Sequence, residues 1–191
     1  VLIHWSDALL AASPQNRLQS FQLLAVALEQ SPNEMLLFDR VLALLRQQDQ
    51  ASETAEAFLK KNIVEGKAVG VSHLILGTSY FEKGEVKLAG THLEQSFRLL
   101  PTGLIVANNF AWYLVNSDTP EPDRAIQIID AVIKEDSVRP EFHETRGHVL
   151  LALKDWKGAI AEFELALPKL TPSSETHRGL AKAYENLGDE S

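Results

Sequence analysis

Read against itself at a spacing of about 34 residues, this chain repeats. Gly77 recurs as Ala111, Gly147 and Ala181, and Tyr80 as Leu114, Leu150 and Tyr184. Ala89 recurs as Ala125 and Ala159, and Gly84 as Gly188. A fixed period of this length constrains a fold more than any single motif. One such unit is too short to bury a hydrophobic face alone, so copies must stack and share a core. The chain therefore reads as all-α, a row of helix–turn–helix units, a form that serves binding more often than catalysis.

The clearest unit runs from Gly70 to Gly103. Its first helix is predicted over Val71–Lys83, with Leu76, Gly77, Tyr80 and Phe81 on one stripe; Gly84 breaks it. A second helix carries Leu88, Ala89, Leu93, Phe97 and Leu100 at spacings of three and four, and ends before Pro101. Gly77 and Ala89 let the two backbones approach, and Tyr80 fills the space beside them. The next unit, Leu104–Arg139, takes up two extra residues in the polar turn from Ser117 to Pro122, where added length costs little. The unit Pro140–Ser173 repeats the scheme with Gly147, Leu150, Trp156, Ala159, Phe163 and Ala166, and Pro168 ends its second helix early. A lone helix over 174–187 carries Leu180, Ala181 and Tyr184. Upstream, Ala27 to Asn33 closes a unit over 1–34. A further unit over 35–69 has Leu42, Ala43, Ala55 and Leu59 in its core and an inner turn at Gln47-Gln48-Asp49-Gln50. These units form one domain of about eleven helices.

The residues at these places resemble the tetratricopeptide repeat family. Its pattern asks for a small residue at the eighth place, an aromatic at the eleventh, Gly at the fifteenth, Ala at the twentieth and twenty-seventh, and Pro at the thirty-second. Gly77, Tyr80, Gly84, Ala89 and Pro101 meet it, with Ser96 replacing one Ala, and Ala27 and Pro32 meet it in the first unit. The resemblance implies a right-handed superhelix, an α-solenoid whose first helices line a concave groove for peptides or helices of partner proteins. Asn109 falls where chaperone-binding members use Asn to hold a peptide. Those members also need flanking Lys and Arg, and here Leu74, Thr78, Glu141 and Thr145 stand in those places, so a chaperone-tail clamp is excluded.

Composition narrows the function classes. A net charge of −8 opposes a nucleic-acid backbone as ligand. Most of that charge lies after residue 69, which points to a neutral or basic protein partner. No apolar run reaches bilayer length. The absence of cysteine excludes disulfides and thiolate metal sites but leaves the compartment open. With no leader visible at Val1, the expectation is a soluble protein of unknown compartment, the cytoplasm favoured over a periplasm that a leader upstream in a longer parent would imply. The start at Val1 and the stop in mid-unit read as a piece of a larger chain. The histidines His4, His73, His143 and His177 share the fourth place of their units and lie too far apart to share a metal. His143 and His148 are five apart, off the helical spacing for paired ligands. No catalytic triad, phosphate loop or His-Glu-x-x-His motif is present. The expectation is a protein without catalytic residues, metal or cofactor.

At about 100° per residue, six places of each first helix fall in one sector opposite the core. In the third unit that sector holds Val71, Leu74, Ile75, Thr78, Phe81 and Glu82. In the fourth it holds Ile105, Asn108, Asn109, Trp112, Val115 and Asn116, and in the fifth Glu141, Glu144, Thr145, His148, Leu151 and Ala152. The last helix adds Glu175, Arg178, Gly179, Lys182, Glu185 and Asn186. The candidate partner-binding residues are Leu74, Thr78, Phe81, Asn108, Asn109, Trp112, Asn116, Glu144, His148, Arg178 and Lys182. Apolar members would anchor a segment and the amides would fix its register. Two rival readings are self-association through Leu180 and Tyr184 at the cut end, and a docking region of a larger enzyme or assembly factor.

Overall fold

The computed structural model describes residues 16–30, 35–46, 50–170 and 174–189. Among these, every regular element is an α-helix: α1 Arg17–Gln30, α2 Met35–Leu45, α3 Gln50–Val64, α4 Val69–Glu82, α5 Val86–Leu99, α6 Leu104–Asn116, α7 Pro122–Glu135, α8 Pro140–Ala152, α9 Trp156–Ala166 and α10 Ser174–Asp189. The helix expected at the start of the first unit, His4, and most of the turn at 47–50 lie outside the described residues. The described residues divide into two compact units between Val106 and Ala107.

In the first unit α4 is covered by α1, α2, α3 and α5. A Cβ on Gly77 would stand 2.7 Å from Leu93 Cγ and 2.9 Å from the Leu93 backbone nitrogen, so only glycine allows α4 and α5 this approach. Ser96 on α5 donates to the Gly70 carbonyl at 2.8 Å. Tyr80 packs its ring in the core and donates its hydroxyl to Glu56 on α3 at 2.7 Å. Burial alone would raise the Glu56 carboxyl, but bonds from Lys60, Tyr80 and Lys83 outweigh it and bring the group down to about 2. Arg46 grips Glu82 with two bonds, at 2.9 and 2.7 Å.

In the second unit α8 packs against α7, α9 and α10, and α9 also packs against α10. The close approach recurs in the same register: a Cβ on Gly147 would lie 2.7 Å from the Phe163 ring. The turns match as well. Glu85 donates its backbone N–H to Tyr80 and Gly84 to Phe81; Asp155 donates to Leu150 and Lys154 to Leu151. Gly84 has φ 78° and Lys154 has φ 63°, so the second turn carries a side chain in the left-handed region that favours glycine. Pro122 and Pro140 each open a helix, where their missing N–H is no loss.

Several expectations for the core need correction. Leu42, Ala55 and Leu59 are buried, but Ala43 is exposed, because the stripe on α2 follows Val41, Leu42, Leu44 and Leu45. Leu88 is exposed, on the outer side of α5. At the last helix, Leu180 is partly buried against the cluster around Phe163. Tyr184 is half exposed and donates its hydroxyl to Glu164 at 2.9 Å. Among the described residues of α10, Ala183, one place away, and Thr176 are buried completely.

Candidate functional site

The second unit holds an open cleft of about 360 Å³. Val115 and Asn116, at the end of α6, form one side. His148, Leu151 and Ala152 on α8 form the floor, and Glu175, Arg178, Gly179 and Lys182 on α10 form the far side. All of these residues belong to the helical sector computed from the repeat. Three α-helices supply them because each places its sector residues at spacings of three and four, on one face.

His148 is the pivot of the floor. Its ring meets Trp112 edge-on at 4.7 Å between centroids and Phe163 edge-on at 5.0 Å. Its Nε2 is buried without a hydrogen-bond partner. Burial, with Lys182 nearby, pushes the imidazole down to about 4. Gly179 admits the aromatic pair, since a Cβ there would lie 2.6 Å from Phe163 and 3.1 Å from His148. Asn116 donates its amide to the Trp112 carbonyl at 2.9 Å. Leu151 closes the floor against the core cluster.

The structure sorts the sequence candidates. Asn116, His148, Arg178 and Lys182 line the cleft, and Trp112 supports it from behind. Glu144 is half-buried and accepts a hydrogen bond from the Thr176 hydroxyl; burial raises its carboxyl, more than that bond lowers it. Asn108 is buried with no partner for its Oδ1, so it offers no surface to a partner. Asn109 is half-buried. Thr78, Phe81 and Leu74 belong to the first unit. Thr78 and Phe81 are half-buried, while Leu74, 0 % exposed, is core. The correction at Leu74 follows from the four helices around α4: a sector computed for a helix touching one neighbour overstates what stays open. The liners Val115, Leu151, Ala152, Glu175 and Gly179 were visible only in that sector calculation, not as distinctive residue types.

His73 and His92 form a second feature, in the first unit, with their Nδ1 atoms 3.0 Å apart. Burial lowers both, and for His92 the neighbouring His73 and Lys60 add to it, reaching about 4. These shifts set a pH dependence. The unfolded chain takes up protons on His92 and His148 near 6.5, whereas the folded chain refuses them until about 4. Their contribution is complete above 6.5 and is lost as pH falls toward 4. Glu144, raised by burial, works in the opposite sense over the lower part of that range. We expect roughly 2 kcal/mol less stability at pH 4.5 than at pH 7.5, after discounting for solvent around His92. Urea unfolding at both values reads this. A His92→Gln, His148→Gln variant should show a flatter profile, and identical midpoints for the native chain would refute the assignment.

Compared by sequence, the chain matches no protein-family model and no curated protein. Compared by structure, it is similar to two MamA structures. The MSR-1 form C2 has a TM-score of 0.52 at 21% identity, over 91% of this chain and 88% of that one. The AMB-1 form has a TM-score of 0.52 at 20% identity, over 86% of this chain and 85% of that one. It is also similar to the TPR domain of P58(IPK), with a TM-score of 0.54 at 13% identity, over 99% of this chain and 56% of that one. The chain has the tetratricopeptide-repeat fold. The tetratricopeptide places found in the sequence are the places where these helices touch: Gly77 against Leu93, Gly147 against Phe163, and Ala89, Ala125 and Ala159 fully buried. No helix among the described residues is long and apolar enough to cross a membrane.

Proposed function

We propose that this protein is a non-catalytic interaction scaffold, and that the cleft of its second unit holds a peptide segment of a partner protein. The observation that carries the reading is the cleft itself, open and lined from three helices by apolar, amide and charged side chains. An apolar floor with a few convergent polar groups is what a segment needs for anchoring and orientation. The tetratricopeptide fold supports it, since its scaffold residues pack helices together and leave one face for a partner.

The test is photo-crosslinking from inside the cleft. A benzoylphenylalanine placed at the exposed Ala152 should capture a partner peptide that mass spectrometry assigns to a single segment. The same group at Val138, 69% exposed and outside the cleft, should capture little. Equal capture from both positions would overturn the cleft as the binding face.

A further inference from the structure

We propose that the Nδ1 atoms of His73, on α4, and His92, on α5, form a chelating site for a copper(II) ion that ties these two helices together. Neither residue lines the cleft. His73 lies one turn before Gly77, and His92 precedes Leu93, the residue that Gly77 touches. The close approach at Gly77 therefore lets the two rings meet, with their Nδ1 atoms 3.0 Å apart. Two neighbouring nitrogens about 2.0 Å from a tetragonal ion stand about 2.8 Å apart, and two on a tetrahedral ion about 3.3 Å, so the observed gap accepts an ion with little movement. A hydrogen bond alone accounts for the gap less well, because it needs one ring N–H aimed at the other ring's lone pair. The ring centres are 4.9 Å apart and the planes meet at 44°. Rings set head to head across that gap would stand farther apart, so at least one nitrogen points off the line between them.

The surroundings keep the pair ready to ligate. Both rings are half-buried, and burial lowers each, His92 to about 4. They are neutral at pH 7, so an incoming ion displaces no imidazolium proton. Lys60 and Glu56, both on α3, are the charged side chains that act on His92. The Lys60 cation opposes an added ion, and the Glu56 carboxylate, ionised far below neutrality and bonded to Lys60 at 2.8 Å, offsets it. Among the described residues no set of three or more His, Asp or Glu gathers as metal ligands. Two imidazoles are therefore the protein's share, and water completes the shell. Mixed nitrogen and oxygen donors in a tetragonal arrangement suit copper(II), which also leads the divalent first-row ions in affinity.

The test is titration of the full, untagged chain with copper(II) at pH 7.5, followed by electron paramagnetic resonance. One ion per chain is expected, with two imidazole nitrogens in its pulsed spectrum. His73→Gln and His92→Gln should each reduce that count to one and weaken binding by about tenfold or more. An ion held by both helices binds the folded chain in preference to the unfolded one. Free copper about a hundredfold above Kd should therefore raise the urea midpoint of the native chain, but not that of either variant. If a variant does not fold, proton NMR of the native chain decides: the ring signals of His73 and His92 should broaden before those of the other four histidines. Variants that bind copper as the native chain does would place the ion at another histidine or at the amino terminus, and overturn the site. Broadening that begins elsewhere would overturn it too. A Kd weaker than about 1 mM would reduce the pair to a hydrogen bond, against the proposal. Zinc(II) should bind more weakly than copper(II), and tighter zinc binding would overturn the choice of ion.

Discussion

Phe163→Ala is expected to cost the second unit about 3–5 kcal/mol, a large share of the stability of a domain this size. The ring is 0 % exposed and lies at the centre of a cluster with Leu150, Leu151, Trp156, Ala159, Ile160 and Ala183. Transfer of the ring from water accounts for part of the loss, and the cavity left behind for the rest. The upper part of the range applies because the residues best placed to collapse into that cavity are Gly147 and Gly179, which have no side chains to move. His148 also loses the edge contact that holds its ring, so the cleft floor should loosen with the core. Phe163→Leu, which refills most of the volume, should cost less than half as much. Urea titration followed by circular dichroism measures both. A loss below about 1 kcal/mol for Phe163→Ala would mean that the ring is not the keystone of this cluster.

The sequence made the helices and their contacts legible for a physical reason. A small residue opposite a large one, repeated at the unit period, is a statement about backbone distance, and Gly77 with Leu93 and Gly147 with Phe163 occupy that register. Helix ends were legible wherever proline or glycine imposed them, as at Pro101 and Gly84. Lys154 was not legible as a turn residue, because a lysine in the left-handed region carries no signal in its identity. The cleft was legible only in part. Periodicity gave the face that Asn116, His148, Arg178 and Lys182 share, but it also placed Leu74 and Asn108 there. Those two are buried because a helix in a stack is covered from several directions at once, which a one-helix projection does not contain. The pairing of His73 with His92, and of Glu162 with two partners, joins residues from different helices, and no spacing within one helix encodes it.

Glu162→Ala is the second large effect, at about 2–4 kcal/mol. Glu162 is 9% exposed and accepts two hydrogen bonds: from His143 Nδ1 at 2.7 Å and from Arg146 Nη1 at 2.6 Å. Were this a solvated ion pair, its removal would cost at most about 1 kcal/mol. Burial decides otherwise. His143, 8% exposed, would lose the only partner of its Nδ1 while its Nε2 stays on the Ser137 carbonyl at 3.0 Å. Arg146 would keep Asp130, at 2.7 Å, but on a far more exposed side. Glu162→Gln separates charge from shape. The amide oxygen can still accept from Arg146, and its NH₂ can donate to Nδ1 if His143 adopts the tautomer that keeps its N–H on Ser137. Glutamine should therefore cost about 1–2 kcal/mol, clearly less than alanine, with the loss of charge-assisted bonding as its main component. Denaturant midpoints of the two variants test the ordering. Equal costs would show that hydrogen-bond shape contributes nothing here, and a cost under about 0.5 kcal/mol for both would show that the network is effectively solvated.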